Sequence, residues 1–285
     1  MSYLQALFLT ILGVVLMSFE SLLIKLTSIP AQNFTFYFGL SIFFSANLML
    51  LIKEKKQFLA LYQSHFQSIL LAAFFMGVSN FFFVLAIKHT SVASAVFILS
   101  TAPLISALIG FFLFKVKTPK RLFVATFFVF VGLFLILYND LDAGTMKGNF
   151  YAFLCVLSFT SFFSVLERYK TMDRLACIGS GGLVASFLAF LSLPLIAIPD
   201  ANSLSIIFFM GAILTPISRL LIGIGSKVLP STDMTLLMII ETLLAPVWVW
   251  LFLGEAMSPS TLLGGGIIVV TLVIYAQRAN EASKR

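Results

Sequence analysis

The stretch TLLMIIETLLAPVWVWLFLG at residues 235–254 carries a single ionisable side chain, that of Glu241. At a rise of about 1.5 Å per residue, a helix of this length crosses the hydrocarbon core of a bilayer, which is about 30 Å thick. Similar stretches recur along the chain. Of its 285 residues, 60% are hydrophobic and 10% are charged, and the mean hydropathy is +1.09. No water-soluble surface could enclose such a core, so we expect the chain to lie in lipid.

Ten apolar segments can be placed on the chain, and we number them segments 1 to 10 in order. They are long continuous runs, which favours a bundle of helices over the short alternating strands of a β-barrel. The sequence therefore predicts an all-α membrane protein with ten transmembrane helices. The segments cover residues 4–26, 32–52, 67–87, 92–114, 121–138, 148–166, 177–198, 203–226, 231–253 and 258–276.

The positive charge of the chain is gathered on alternate loops between these segments. Short cytoplasmic loops retain Lys and Arg during insertion, so this distribution predicts that both termini are cytoplasmic. Only Lys25, Lys88 and Lys147 lie on the opposite side, and Arg219 falls inside segment 8. Topology alone accounts for the net charge of +7, so no nucleic-acid partner is expected. The basic residues on the predicted cytoplasmic side are Lys53, Lys55, Lys56, Lys115, Lys117, Lys120, Arg121, Arg168, Lys170, Arg174, Lys227, Arg278, Lys284 and Arg285.

Sequence signatures of catalysis, of ATP-driven pumping and of metal binding are missing. No Gly-rich loop ends in Gly-Lys-Ser/Thr, and neither Gly-x-Ser-x-Gly nor His-Glu-x-x-His occurs. The two cysteines, Cys155 and Cys177, lie in or at the edge of predicted helices and have no metal-ligand spacing. We therefore expect no catalytic residue, no metal and no cofactor.

An internal repeat relates the two halves of the chain. A shift of 140 residues superposes segments 4 and 5 on segments 9 and 10, and a second shift superposes SFESLLIK at Ser18 on SFFSVLER at Ser161. The predicted domains are two five-helix repeats, residues 1–140 and 141–285. Because five is odd, the second repeat enters the membrane from the opposite side, and such inverted repeats are characteristic of secondary transporters. Identities under the first shift include Ser91 with Ser231, Leu104 with Leu244, Phe112 with Phe252 and Pro119 with Pro259.

A motif in the second half connects the chain to a known family. It begins at Glu241, continues through LLAP to the pair Gly254-Glu255, and is followed by Ser258-Pro259. With this motif and its two five-helix halves, nearly the whole chain resembles the EamA-type members of the drug/metabolite transporter superfamily. The first half departs from the family at the end of segment 4, where Phe114-Lys115 stands in place of a Gly-Glu pair.

The resemblance implies a polytopic carrier of the cell inner (plasma) membrane, often an exporter of amino acids or other metabolites. It also implies a central cavity lined mainly by segments 1, 3, 4, 6, 8 and 9. We therefore expect a secondary transporter that moves a small zwitterionic or cationic metabolite outward by alternating access, with protons as a candidate coupling ion. The alternatives are a channel or a non-transporting scaffold whose buried charges are structural. The oligomeric state is left open.

Three ionisable side chains lie at membrane depth, where each costs several kcal/mol and normally faces a wet cavity or a partner. Glu241 is close to the middle of segment 9. Glu20 lies about 7 Å outward of the middle of segment 1, and Arg219 lies about 6 Å inward of the middle of segment 8. All three belong to segments that the resemblance assigns to the cavity, so we expect them to bind substrate or to couple transport.

Three further residues are added by helical spacing and by the repeat. Trp248 shares the face of Glu241, so an ammonium group would find both a carboxylate and an aromatic ring there. Asn80 on segment 3 is the approximate repeat counterpart of Arg219, and Thr101 is that of Glu241. We expect all three residues to line the substrate site.

A proline one turn before Arg219 interrupts segment 8. Pro216 removes a backbone hydrogen bond and frees the carbonyl of Ala212, which belongs beside protein or water rather than acyl chains. Two interpretations of Glu241 stay open at this point. It either acts in transport or forms a fixed salt bridge, with Arg219 or, through a wet crevice, with Lys25 or Lys88.

Overall fold

The computed structural model describes residues 2–55, 58–102, 104–105, 120–139, 143–169, 171–229 and 231–283. Its regular secondary structure over these ranges is helical. The α-helices, in chain order, are α1 (Tyr3–Met17), α2 (Glu20–Lys25), α3 (Ala31–Glu54), α4 (Phe58–Ser64), α5 (Phe66–His89), α6 (Val92–Leu99), α7 (Lys120–Asn139), α8 (Ala143–Arg168), α9 (Arg174–Ser192), α10 (Ala201–Phe209), α11 (Thr215–Gly225), α12 (Ser231–Leu253) and α13 (Pro259–Ser283). A π-helical turn, Met210–Leu214, joins α10 to α11.

Each predicted segment overlaps one or more of these helices. Within the described ranges, six helices are long and apolar enough to cross a membrane: Tyr3–Lys25, Ala31–Glu54, Phe66–His89, Thr145–Leu166, Arg174–Ser192 and Ala201–Gly225. Shorter apolar helices cover Val124–Ile136, Ile240–Leu253 and Pro259–Tyr275. The chain is therefore a multi-pass membrane protein. Segment 4 is represented by α6, and residues 106–119, which include Phe114-Lys115, lie outside the described residues.

The structure differs from the predicted segments in local detail. Segment 1 is two helices, α1 and α2, with a break at Ser18 and Phe19. Segment 7 begins three residues earlier than predicted, at Arg174, because the Asp173 carboxylate caps the helix by accepting the backbone N–H groups of Leu175 and Ala176 at 2.8 and 3.1 Å. The short helix α4 was not predicted.

A pair of glycines sets the spacing of α3 against α9. A Cβ atom added to Gly39 would lie 2.5 Å from the carbonyl oxygen of Gly182, and one added to Gly182 would lie 2.7 Å from that of Gly39. Gly132 of α7 and Gly264 of α13 make the same reciprocal approach. Close backbone contact through small residues is how helices associate in lipid, where apolar burial supplies little drive.

The two predicted halves make corresponding helix contacts: where a helix of one half packs on a second helix, its counterpart packs on the counterpart of that second helix. The helix α1 packs on α11 and α12, and its repeat counterpart α8 packs on α5 and α6. The pairs α3 with α9, α6 with α12 and α7 with α13 each join one helix to its own counterpart. Such reciprocal contacts are those expected of a two-fold relation between halves.

Two ends of the bundle can now be defined by their residues. Lys53, Arg168, Arg174 and Lys227 lie at the end where α3, α8 and α11 finish and α9 begins, and we call it the basic end. The other end, where α2 and α5 finish, is called the opposite end. Asp200 caps α10 there, and hydrogen bonds from Ser203 hold the pKa of its carboxyl below the usual range.

Candidate functional site

The proline in segment 8 interrupts the regular α-helical hydrogen bonding, and a π-helical turn precedes it. Pro216 has no N–H for the carbonyl of Ala212, and the Thr215 N–H reaches back five residues to the carbonyl of Met210. The freed Ala212 carbonyl accepts a hydrogen bond from the Ser45 hydroxyl of α3. The sequence prediction of a broken helix backed by protein is therefore confirmed. The wide turn also sets which way the residues of α11 face.

Thr215 and Arg219, one helical turn apart on α11, both contact Glu20 of α2. The Thr215 hydroxyl donates to Glu20 Oε1 at 2.7 Å, and Arg219 Nη2 lies 3.8 Å from Glu20 Oε2. The Glu20 side chain is 2% exposed and that of Arg219 is 15% exposed. The Nε atom of Arg219 is buried without a hydrogen-bond partner. Arg219 therefore keeps donor capacity beyond its ion pair.

Glu241 lies partly buried on α12, close enough to Arg219 and Glu20 for its charge to interact with both. No described basic side chain comes within 4.0 Å of its carboxylate, because Arg219 pairs with Glu20 and Lys25 pairs with Glu255. The sequence allowed a fixed salt bridge from Glu241 to Arg219, Lys25 or Lys88. None of these salt bridges is formed in the described part of the chain. Two carboxylates and one guanidinium share this region, so the described ion pair leaves the Glu241 carboxylate without a basic partner of its own.

Trp248 contributes to the site through α1 and α2 rather than through an open ring face. Its indole N–H donates to the Ser18 hydroxyl at 3.0 Å, and its ring stacks on Phe19 with centroids 4.7 Å apart and planes 15° apart. One face of the ring is therefore covered by Phe19. The contacts fix α12 at the break between α1 and α2, two residues from Glu20.

Asn80 and Thr101 are both buried, but neither lines the cavity described next. The Asn80 amide nitrogen has no hydrogen-bond partner among the described residues. The Thr101 hydroxyl donates to the carbonyl of Ile98 at 2.7 Å, within its own stretch of chain. Within the described residues, no hydrogen bond or ion pair joins either of them to Glu20, Arg219 or Glu241.

A cavity lies between helices of both halves. Apart from two arginines and a glycine, its lining side chains are aliphatic, aromatic or methionine. It extends from mid-bundle toward the basic end. The lining residues are Met17 of α1, Met76 of α5, Phe159, Phe162, Phe163 and Leu166 of α8, Arg174 and Ile178 of α9, Arg219, Ile222 and Gly223 of α11, and Met238 of α12.

The helix set around this cavity differs from the one that the family resemblance implies. Segments 1, 3, 6, 8 and 9 contribute as expected, but segment 7 contributes Arg174 and Ile178, and no described residue of segment 4 does. Sequence reasoning assigned Arg174 to a cytoplasmic loop. The Asp173 cap instead makes it the first residue of α9, with a side chain that is 7% exposed. The acidic residue directly before an apolar run was the available signal of an earlier helix start.

The opposite end is joined by polar contacts between α2, α6 and the chain after α12. Lys25 Nζ lies 3.3 Å from Glu255 Oε2 and donates to the carbonyl of Thr90 at 3.1 Å. The Val92 N–H donates to Glu255 Oε1 at 3.0 Å. Nearby, Lys88 donates to the carbonyl and the hydroxyl of Thr27. We call the three residues Lys25, Glu255 and Val92, with their contacts, the polar closure.

Comparison with known proteins supports this architecture. A solved structure described as "Crystal structure of protein" is 17% identical and has a TM-score of 0.68, over 96% of this chain and 98% of that one. At this identity the likeness concerns the fold alone. A search of curated proteins found no match. Residues 4–138 match the model of the EamA-like transporter family. These residues, nearly half of the chain, are thus similar to the EamA-like transporter family, which belongs to the drug/metabolite transporter superfamily. The match and the apolar helices support a membrane transporter in general terms.

Proposed function

We propose that the protein is a secondary transporter of the cell inner membrane, with cytoplasmic termini, that exports a small metabolite by alternating access between two inverted five-helix repeats, residues 1–140 and 141–285. The substrate is an amino acid or a related zwitterionic compound. The basic end of the bundle is cytoplasmic in this proposal. Transport, rather than catalysis, is the activity.

One observation carries the proposal, namely a cavity between the two halves beside a closed opposite end. Met17 and Met76 line the cavity from the first half, and Arg219 and Met238 line it from the second half. The polar closure joins α2 and α6 to the chain after α12 beyond the cavity. A substrate site between inverted repeats that is closed toward one face is the arrangement of a carrier. The reciprocal glycine contacts of α3 with α9 and of α7 with α13 support the repeat.

The charged residues beside the cavity favour a substrate with both signs of charge. Arg219 has an unpartnered Nε atom for an anionic group. Glu241 lacks an ion pair with any described side chain and would attract an ammonium group. The cationic class that the sequence also allows is less favoured, because two arginines and no acid line the cavity itself.

The two other functions fit these contacts less well. A channel requires a continuous pore, whereas the polar closure joins three elements across one end. In a scaffold with structural charges we would expect the buried charges to be paired, whereas the buried Arg174 has no ion pair with a described carboxylate and its Nε and Nη1 have no described partner.

The proposal is tested first by topology, with single cysteines in a background in which Cys155 and Cys177 are replaced by alanine. We expect cysteines at 53–56 and 168–174 to be labelled only from the cytoplasm and cysteines at 140–147 only from outside. Labelling of the loop at 140–147 from the cytoplasm would contradict the inverted repeat.

Transport is tested separately, with proteoliposomes loaded with a mixture of the twenty amino acids and other cell metabolites. We expect the protein to release a subset of them faster than matched empty vesicles do. Loss rates equal to those of empty vesicles for every compound would reject the transporter, and ion-like conductance without saturation would support a channel.

A further inference from the structure

Arg174 is buried beside the cavity with most of its hydrogen-bonding capacity unused. Its side chain is 7% exposed. Nη2 donates to the carbonyl of Leu166, a long contact of 3.4 Å, while Nε and Nη1 are buried without a partner among the described residues. A guanidinium has five N–H donors, so most of them have no acceptor here. A buried charge without a partner is costly, and an anion that enters the cavity would remove that cost.

The acidic group next to Arg174 in the chain is already engaged. The Asp173 carboxylate accepts the N–H groups of Leu175 and Ala176 through Oδ1, and its Oδ2 lies 3.7 Å from Lys53 Nζ. The other guanidinium of the cavity wall, that of Arg219, has Glu20 within 3.8 Å. Of the two lining arginines, Arg174 is therefore the one without an ion pair to a described carboxylate.

The packing around Arg174 holds its side chain in this place. A Cβ atom added to Gly223 of α11 would lie 3.4 Å from Arg174 Cγ and 3.7 Å from its Cβ, which is ordinary contact distance. The stem of the arginine thus lies along α11, and Arg174 and Arg219 both line the cavity. The rest of the wall offers methionine and phenylalanine side chains, which accommodate apolar groups of varied shape.

We infer that Arg174 is the anion-binding residue of the cavity and that the substrate carries its carboxylate on an apolar body. The inference rests on the proposed function, since it names the substrate class of the same cavity. An arginine pairs with a carboxylate through two parallel N–H donors, and Nε and Nη1 are free for such contacts. The methionine and phenylalanine side chains then surround the apolar part, and a substrate of this kind needs no ammonium group to bind.

Three isosteric probes separate the contributions of the two charges. Leucine carries both groups, isocaproate lacks the ammonium group, and isoamylamine lacks the carboxylate. Binding is measured by calorimetry on the full chain in lipid nanodiscs. We expect leucine and isocaproate to bind in the wild type at millimolar concentration or below, and isoamylamine to bind at least about tenfold more weakly. Absence of isocaproate binding, or amine binding as tight as carboxylate binding, overturns the inference.

The residue assignment is tested with Arg174→Gln and Arg174→Lys. We expect Arg174→Gln to weaken leucine and isocaproate binding by about tenfold or more while leaving the weak amine binding unchanged. Arg174→Lys keeps the charge but not the planar pair of donors, so its effect should be intermediate. The matched control is Arg168→Gln, which removes an arginine from the exposed end of α8 and should leave all three affinities unchanged.

A purely structural role would give a different result. If Arg174 only caps the carbonyl of Leu166, its variants would lower thermal stability and shift all three affinities together. Unchanged carboxylate affinity in a folded Arg174→Gln or Arg174→Lys protein overturns the inference, even if vesicles still transport amino acids. Conversely, carboxylate binding that depends on Arg174 in a protein that moves nothing across vesicles rejects the proposed transport and leaves the anion site in place.

Discussion

The two ends of the bundle contrast in how their helices are held together. At the opposite end, Lys25, Glu255 and the N–H of Val92 join three elements through an ion pair and hydrogen bonds. Toward the basic end the same bundle encloses a cavity, with Arg174 and Arg219 in its wall. The polar closure and the cavity wall, which lie toward different ends of the described bundle, thus differ in their side-chain chemistry.

The predicted repeat shows which residues of the sequence correspond to those of the polar closure. Under the superpositions of the halves, Lys25 corresponds to Arg168 and Glu255 corresponds to Lys115. In sequence, the acid of the polar closure thus has a basic residue as its counterpart in the first half. Lys115 itself lies outside the described residues. The departure of the first half from the family's Gly-Glu pair is therefore a sequence difference between the two halves.

The largest expected effect is that of Arg219→Gln, which removes a positive charge from the cavity wall. Glu20 is 2% exposed and would keep only the Thr215 hydroxyl as a partner. Stranding one member of a buried pair costs about 3–5 kcal/mol. We expect the initial transport rate in proteoliposomes to fall at least about a hundredfold, while the protein still inserts.

The double variant Glu20→Gln with Arg219→Gln is the matched control for stability. Because it leaves no unpaired charge, it should recover most of the thermal stability that the single variant loses, and it should remain inactive. Full transport by Arg219→Gln would return Arg219 to a structural role. Equal loss of folding in the single and double variants would show that the pair is needed for assembly.

The second prediction concerns Glu241, which lies beside the pair without an ion pair of its own among the described side chains. If Glu241 carries the coupling proton, Glu241→Gln should reduce gradient-driven accumulation at least about tenfold and leave counterflow exchange largely intact. If it holds the substrate's ammonium group, the same change should suppress both modes, most strongly for zwitterions. Accumulation and exchange that both match the wild type would leave Glu241 as a packing residue.

The third prediction breaks the polar closure with Glu255→Gln. The side chains of Lys25 and Glu255 are 23% and 29% exposed, so their ion pair is worth about 1 kcal/mol. Its loss should shift the balance toward a state open at the opposite end by roughly fivefold. The measurement is labelling of Met76→Cys, a cavity-wall position, from each side of the membrane in the background without native cysteines.

Asp200→Asn is the control for the closure experiment, since it removes an exposed acid from the opposite end without touching the closure. It should leave labelling of the cavity cysteine confined to the basic side. A Glu255→Gln protein that is labelled from the basic side alone, at the wild-type rate, would show that the contacts of Lys25 and Glu255 are not a gate.

Much of this arrangement can be predicted from the sequence, for identifiable reasons. Apolar length gives the helices, and Pro216 gives the broken turn and the exposed Ala212 carbonyl, because both are local backbone properties. The depth of Glu20 and Arg219 in the predicted segments marks them as candidate site residues. Their mutual pairing is not predicted, since the π-helical turn that precedes Thr215 changes which way α11 faces.

Arg174 and Glu255 show what a hydropathy reading leaves out. Both stand at helix ends, where charge is expected on topological grounds alone. Whether such a side chain turns into the bundle depends on a cap and on the packing of neighbouring helices. The Asp173 cap sets the start of α9, and Gly223 leaves room for the stem of Arg174. The cap is a local contact that the sequence signals, whereas the contact between Gly223 and Arg174 joins distant residues and is not displayed by a single sequence.

The smallest expected effect is that of Trp248→Phe, at the joint between the cavity and the closure. The variant keeps an aromatic ring to stack on Phe19 but loses the hydrogen bond from the indole N–H to the Ser18 hydroxyl. A single neutral hydrogen bond contributes about 1 kcal/mol, so the transport rate should change roughly two- to fivefold. Ser18→Ala removes the same bond from the other side, and the double variant should be no worse than the more affected single variant. Trp250→Phe is the matched control, because Trp250 is exposed on the far face of α12 and its replacement should leave transport unchanged. Additive effects of Trp248→Phe and Ser18→Ala would show that the bond does not couple α12 to the break between α1 and α2, and the closed end and the cavity would then move independently of this joint.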